Sequence, residues 1–228
     1  MAEAKGQVGV LQASRSVSAS LAERAYHAIR EMIVSLELRP GAVIDERALM
    51  ERLGIGRTPT REALRRLAQE RLVEVYPRRG MFVTSVEIRD LASLTEVRSL
   101  LESHVARLAA ERATDEDRGA LEALLDELEA RTELDTSELM ALDERVHRQV
   151  YSSAHNPFLE STLEEYYVLA LRIWYLALDR TRELEQAVLG HRELLEAIRD
   201  GDADRAEKTM RRHVVDFGEA MRRVLTGA

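Results

Sequence analysis

Four side chains that can bind metal ions interrupt the apolar stripes in the second half of the sequence. Asp143 and His147 are four residues apart, so a helix would carry both on one face. His191 and His213 each lie within an apolar pattern of helical period, which points them into the same interior. Each histidine taken alone is typical of a hydrogen-bonded core residue. Together with the aspartate they predict a divalent-metal site with open coordination positions.

Arg98 is a further charged residue in an apolar stripe, four residues after Leu94 and three before Leu101. Glu102 follows one helical turn later and can form a structural ion pair with it. Alternatively, the guanidinium can hold the carboxylate of a small acid, since its planar fork of donors matches that group. The sequence leaves both interpretations open.

Residues 45–67 predict two short helices joined by a tight turn at residues 54–56. Asp45 is expected to cap the first helix, and Thr58, followed by Pro59, to cap the second. Polar side chains crowd the start of the second helix, where a helix in a major groove meets base edges and phosphates. These side chains are Arg57, Thr58, Thr60, Arg61 and Arg65. A solvated arginine face is the alternative.

A hairpin follows the second helix. Residues 73–76 and 81–84 have the composition of strands, and the residues between them are typical of a turn. Arg78 and Arg79 make the tip basic, so it can reach a minor groove or neighbouring phosphates. The hairpin is therefore predicted to be the wing of a winged helix-turn-helix.

The other predicted segments must hold the candidate metal-binding residues and the candidate DNA-binding residues in position. Residues 1–20 are predicted to be a disordered tail, and residues 21–36 an amphipathic helix that completes the DNA-binding domain at 21–85. Residues 86–228 are predicted to form an antiparallel bundle of six or seven helices. The helices are expected at about 90–112, from 114, from 136, from 157, at 182–199 and from 203. The predicted fold class is mainly α.

Charge and composition agree with two domains. The net charge of the 228 residues is −8, yet the first 85 hold 14 basic and 10 acidic residues, and the rest hold 19 and 31. A basic head of +4 and an acidic body of −12 suit a protein that binds DNA through its head alone. The chain has no cysteine and no long apolar run, so we expect a cytoplasmic protein without a membrane span.

Two segments resemble known families. Residues 21–85, through GRTPTREALRRLAQERLVEVYPRRGMFV, resemble the winged helix-turn-helix of the GntR family of bacterial repressors. Residues 90–225, through ALDERVHRQVYSSAHNPFL and GHRELLEAIRDGDADRAEKTMRRHVVDF, resemble the FCD effector domain of its FadR-type branch. A count of six helices would place the chain nearer the VanR-like group.

The resemblance implies a function for these residues. Arg47, Arg57, Thr58 and Arg61 would contact bases or phosphates, and Gly80 would be the glycine of the wing tip. Asp143 and the three histidines match the metal-binding version of the domain, which implies zinc or a similar ion, with nickel, manganese and iron as alternatives. A small carboxylate effector would bind near the metal and Arg98, and a homodimer would bind palindromic operator DNA.

Two other functions remain open from the residues alone. A metal held by three histidines and an aspartate can activate water, which would make the chain a hydrolase or lyase with an incidental winged domain. Against this, no additional inward carboxylate or histidine is evident as a general base. The metal can also be purely structural, in a DNA-binding protein that senses no metabolite.

Overall fold

The computed structural model describes residues 20–85, 89–130, 136–176 and 187–226. Within these ranges the chain forms a winged helix-turn-helix followed by a helical bundle, which confirms the predicted fold class. The prediction for the N-terminal tail lies outside the described residues. The elements of the first domain are α1 (Leu21–Val34), α2 (Glu46–Leu53), α3 (Arg57–Gln69), β1 (Val73–Tyr76) and β2 (Gly80–Val83).

Local capping determines where α2 begins and ends. The Asp45 carboxylate accepts hydrogen bonds from the backbone N–H groups of Arg47 and Ala48, at 2.9 and 3.0 Å. Gly54 ends the helix with φ 63°, in the left-handed region that glycine adopts without a steric cost. The predicted cap of α3 is wrong by two residues, because the helix begins at Arg57 and Gly56 is its N-cap.

The wing is an antiparallel hairpin. β1 and β2 pair from Val73 opposite Val83 to Tyr76 opposite Gly80. The first strand has its predicted bounds, and the second begins one residue earlier than predicted, at Gly80. The turn between them needs left-handed backbone at two positions, Arg78 with φ 66° and Gly80 with φ 102°. The basic tip therefore projects away from the hairpin, and its side chains are exposed.

Six helices with described ends form the bundle: α4 (Asp90–Arg112), α5 (Asp115–Ala130), α6 (Thr136–Ser153), α7 (Pro157–Leu176), α8 (His191–Arg199) and α9 (Ala203–Thr226). The side chains of Thr114, Asn156 and Asp202 accept hydrogen bonds from the first turns of α5, α7 and α9. Of the helix predicted over 182–199, residues 182–186 lie outside the described residues, and a turn at Gly190 separates helical residues 187–189 from α8. The described residues therefore leave the choice between six and seven helices as a prediction.

The two longest helices, α4 and α9, pack along each other at very short range. Gly218 of α9 permits this approach, since a Cβ atom there would lie 2.5 Å from the Thr95 hydroxyl of α4. Val97 of α4 is exposed, although its spacing from Leu94 and Leu101 fits an apolar stripe. Residues 101–110 of the same helix supply much of the buried face of the bundle.

The winged domain rests against the bundle through α1 and α7. Arg30 of α1 lies 3.8 Å from the Glu164 carboxylate of α7. Further along α7, the buried Arg172 side chain donates a hydrogen bond to the backbone carbonyl of Thr84, at the end of the wing. The two domains are thus joined by side-chain contacts as well as by the chain itself. Among the described residues, no helix is both long enough and apolar enough to cross a bilayer.

Candidate functional site

Helices α6, α8 and α9 bring the four predicted metal-binding residues together in the bundle. Each of Asp143, His147, His191 and His213 offers a ligand atom, and these atoms all lie within 4.8 Å of one another. Asp143, His147 and His191 are buried, whereas His213 is partly exposed. The convergence of three separate helices on one point was the central expectation from the sequence, and the structure contains it.

The hydrogen bonds of His191 determine which of its nitrogens carries a lone pair. Its Nδ1 lies 3.1 Å from the Val188 carbonyl, which can only accept, so Nδ1 carries the proton. Burial lowers the pKa of His191 to about 4, although the nearby Asp143 carboxylate acts to raise it. The imidazole is therefore neutral near pH 7, and its Nε2 lone pair faces the cluster.

His147 is oriented in the same way by its neighbours. Its Nδ1 lies 3.0 Å from Glu102 Oε2 and 3.2 Å from the Tyr151 hydroxyl. A carboxylate beside Nδ1 favours the tautomer with the proton there and the lone pair on Nε2. The two Nε2 atoms of His147 and His191 are only 3.3 Å apart. Two lone pairs at this distance repel each other unless a proton or a cation lies between them.

Asp143 completes the cluster with one satisfied and one unsatisfied oxygen. Oδ2 accepts a hydrogen bond of 2.6 Å from the Tyr167 hydroxyl. Oδ1 is buried, has no hydrogen-bond partner and lies 3.7 Å from His191 Nε2. A buried carboxylate oxygen without a donor is costly, and a cation at this point would remove the cost.

The separations within the cluster fit a metal ion. Zinc ligands lie about 2.0–2.2 Å from the ion, which in a tetrahedron places them roughly 3.3–3.6 Å from one another. The observed separations are 3.3 Å between His147 Nε2 and His191 Nε2, 3.7 Å from Asp143 Oδ1 to His191 Nε2, and 3.8 Å from Asp143 Oδ2 to His147 Nε2. These three residues are within a few tenths of an ångström of such spacing, and the ligand atom of His213 lies within 4.8 Å of theirs. The donor set of one carboxylate and three imidazoles suits a borderline-soft divalent ion.

Arg98 forms the ion pair that the sequence offered as one of two interpretations. Its Nε lies 2.5 Å from Glu102 Oε1, and both side chains are buried. Burial alone would raise the pKa of Glu102, but Arg98 and then His147 hold it at about 2. Glu102 is thus an anion that joins Arg98 to the cluster, with one oxygen on each side.

The second predicted site is a basic face on the winged domain. Arg57, Thr58, Arg61 and Arg65 line a shallow depression of about 480 Å³ at the start of α3. Arg61 is not free in this depression, because its guanidinium is bound by Glu46 of α2 at 2.7 Å. Arg47 is exposed and pairs with Glu51 one turn later, at 2.9 Å. These pairs would have to exchange their carboxylates for phosphates on DNA.

Thr60 was wrongly assigned to the DNA-binding set. Its side chain is fully buried, and its hydroxyl donates to the Gly56 carbonyl at 2.9 Å. Because α3 begins at Arg57, Thr60 lies within the helix, on its buried face with Ala63 and Leu64. The wing residues Arg78, Arg79 and Gly80 are exposed at the hairpin tip, as expected.

Two tyrosines beside the metal cluster were missed from the sequence. Tyr151 lies four residues after His147 on α6, so the spacing of Asp143, His147 and Tyr151 on one helical face was a usable signal. Tyr167 is buried and donates a hydrogen bond to Asp143, whereas its neighbour Tyr166 is only partly buried. Either tyrosine fits the apolar spacing from Leu163, so periodicity alone could not separate them.

Comparison with known proteins agrees with this architecture. Residues 21–83 match the model of bacterial regulatory proteins of the gntR family, and residues 93–216 match that of the FCD domain. The chain is 33% identical over 192 residues to an HTH-type transcriptional regulator from an unstable DNA locus of Streptomyces ambofaciens, covering 83% of this chain and 80% of that protein. It is 30% identical to the galactonate operon transcriptional repressor of Escherichia coli K12, covering 78% and 86%.

A solved structure shares the fold. E. coli McbR/YncC superposes with a TM-score of 0.77 at 24% identity, covering 89% of this chain and 97% of that one. Both of these curated relatives are named as transcriptional regulators, which favours regulation over the hydrolase or lyase interpretation of the cluster. The chain therefore belongs to the GntR family of bacterial regulatory proteins, in the group with a C-terminal FCD domain, and is a transcription regulator.

Proposed function

We propose that this regulator is a repressor whose bundle holds a divalent metal ion, with zinc favoured, and responds to a small carboxylate effector bound beside it. The observation that carries the proposal is the unsatisfied Asp143 Oδ1, 3.7 Å from His191 Nε2, in a cluster of one carboxylate and three imidazoles whose ligand atoms lie within 4.8 Å of one another. Asp143, His147, His191 and His213 would hold the ion. The bound ion supplies a local positive charge with positions that a carboxylate oxygen can occupy.

The surroundings of the cluster support a carboxylate effector. His213 is less buried than the other three residues, and burial lowers the pKa of its imidazole, so it would meet an ion as a neutral ligand. Arg98 belongs to the same interior through Glu102, and an incoming carboxylate can compete for its guanidinium. One of the relatives is named for the galactonate operon, and galactonate is itself a carboxylate.

The winged domain would bind operator DNA in the cytoplasm. Arg57, Thr58, Arg61 and Arg65 on α3 are presented to a major groove, with Arg47 beside them and Arg78, Arg79 and Gly80 at the wing tip for the flanking backbone. A homodimer follows from this proposal, since two recognition helices read the two halves of a palindrome. The effector changes DNA affinity only by binding one arrangement of the heads better than the other.

Zinc titration of the metal-free protein tests the metal part of the proposal. We expect one zinc per chain and a rise in the melting temperature by mass action. A screen of small organic acids on the zinc-loaded protein then tests the effector, since a true effector raises the melting temperature further. Stoichiometric zinc with no response to any carboxylate would instead support a purely structural metal.

A further inference from the structure

Helix α7 touches both the metal cluster and the winged domain. On one side, Tyr167 bonds to Asp143 Oδ2. Five residues later, Arg172 bonds to the Thr84 carbonyl at the end of the wing. One turn before Tyr167, Glu164 lies 3.8 Å from Arg30 of α1. A rigid helix that contacts both the cluster and the winged domain can pass a displacement from one to the other.

Tyr167 is well placed to respond to the state of Asp143. Its ring is 2% exposed, and burial followed by the Asp143 carboxylate raises the pKa of its hydroxyl, so it remains a donor. A cation on the free Oδ1 draws the carboxylate towards the imidazoles and withdraws charge from Oδ2. Tyr167 must then follow Asp143 or lose its hydrogen bond. Because the interior is closely packed, α7 would move with it.

The Arg172 guanidinium is only partly hydrogen-bonded at its junction with the wing. The side chain is fully buried, and burial lowers the pKa of the guanidinium to about 10. Nη2 donates to Thr84, but Nε and Nη1 have no hydrogen-bond partner. Buried donors without acceptors are costly, so a second arrangement in which Arg172 gains an acceptor competes with this one. A junction of this kind can be shifted by a small force.

The space between the domains permits such a shift. A groove of about 880 Å³ separates α1 from α6 and α7, and Tyr26, Arg66, Met140 and Tyr175 are among its lining residues. Across this groove Arg30 of α1 lies 3.8 Å from the Glu164 carboxylate of α7, and Arg148 of α6 binds the same carboxylate at 2.9 Å. Two arginines thus share one carboxylate at the junction, and such ion pairs can exchange when the head changes its orientation.

We propose that α7 couples the metal cluster to the winged domain, with Tyr167 and Arg172, five residues apart on the helix, as the positioning residues. Tyr167 transmits the position of Asp143 to the helix, and Arg172 transmits the position of the helix to Thr84. This inference rests on the proposed metal site. It adds the route by which occupation of that site changes the orientation of the heads.

The chain offers two clean probes for a test. Its one tryptophan, Trp174, lies on α7, with its ring centre 4.4 Å from that of Phe217 on α9. Zinc is a d¹⁰ ion without redox activity, so a change in Trp174 emission on zinc binding reports movement of its surroundings. The chain has no cysteine, so Val75→Cys on the wing and Ala123→Cys on α5 can carry spin labels for a head-to-bundle distance. Dilution with unlabelled chain isolates the distance within one subunit.

The variants Tyr167→Phe and Arg172→Met separate the two steps, with Tyr166→Phe on the same helix as the matched control. We expect zinc to change both the emission and the distance in the parent and the control. Tyr167→Phe should still bind one zinc per chain but lose most of both responses. Arg172→Met should bind zinc and keep the emission change, whereas its distance should no longer respond. Arg172→Lys replaces it if the methionine variant does not fold.

The outcomes distinguish this inference from the proposed function. Zinc binding in the parent without a change in distance overturns the coupling and leaves the metal site intact. Full responses in both variants overturn the roles of Tyr167 and Arg172. A parent chain that binds no zinc overturns the proposed metal site, and the coupling with it.

Discussion

Glu102 Oε2 lies 3.0 Å from His147 Nδ1, with both side chains buried and the other Glu102 oxygen on Arg98. One carboxylate therefore neutralises a buried guanidinium and lies beside an imidazole of the proposed metal site. Carboxylates that hold the distal nitrogen of a histidine ligand fix its tautomer and raise its basicity. The contact ties the stability of α4 to the chemistry of α6.

Arg98→Met should destabilise the metal-free protein, because it leaves the Glu102 anion buried without its cation. Breaking one side of a buried ion pair costs roughly 3–5 kcal/mol, which urea unfolding would measure. The double replacement Arg98→Met with Glu102→Met should recover most of this loss, since no isolated charge remains. Equal instability of the single and double variants would contradict the pairing. The double variant should also bind zinc about 10- to 100-fold more weakly, as His147 loses its carboxylate.

His191→Ala should lower the zinc content of the purified protein to well below one per chain. The residue supplies a buried Nε2 lone pair, and its removal leaves three ligands and a gap. Elemental analysis after dialysis measures the change. His104→Ala is the control, because His104 is exposed on α4 and should leave the metal content unchanged. Full occupancy in the His191 variant would remove this residue from the site.

Arg61→Ala and Thr60→Val should have different effects on DNA binding and stability. Loss of the Arg61 guanidinium should weaken specific DNA binding by roughly 10-fold and relax the base preference. If a phosphate contact is lost with it, the slope of log K against log salt concentration should become shallower by about one. Thr60→Val removes only the internal bond to Gly56, so it should cost about 1 kcal/mol of stability and leave affinity unchanged.

Fluorescence anisotropy on an operator selected from random sequences, at several salt concentrations, measures both variants. Arg199→Ala, an arginine of the bundle, controls for the loss of one positive charge. If Thr60→Val weakened DNA binding as much as Arg61→Ala, the assignment of Thr60 to the core would be wrong.

Two helical glycines should respond to alanine with opposite signs. Gly218→Ala places a methyl group 2.5 Å from Thr95 Oγ1 and 3.1 Å from its Cβ, so α4 and α9 must separate. Overpacking of this kind costs about 1–3 kcal/mol. Gly119→Ala on α5 meets nothing within 4 Å and should stabilise by roughly 0.5–1 kcal/mol. Thermal unfolding of the two variants measures both effects, and equal shifts would refute the close approach of α4 and α9.

Much of the fold was predictable because it depends on local rules. The bounds of α4 and the caps at Asp45, Thr114 and Asn156 follow from capping chemistry and apolar period, which act over a few residues. The errors occur where two local solutions are nearly equal in energy. Gly56, and not Thr58, is the N-cap of α3, and Tyr167, and not Tyr166, is buried in the core.

The sequence by itself determined the residue types of the site, since an aspartate and three histidines on inward faces have few other uses. Only the tertiary structure decided how they are supported. The Glu102 carboxylate, the Tyr167 hydroxyl and the half-satisfied Arg172 guanidinium come from other helices, and their distances depend on how those helices pack. The apolar period along a helix predicts which of its faces is buried. Contacts between side chains of different helices depend on how those helices pack, which the spacing of residues along the chain does not predict.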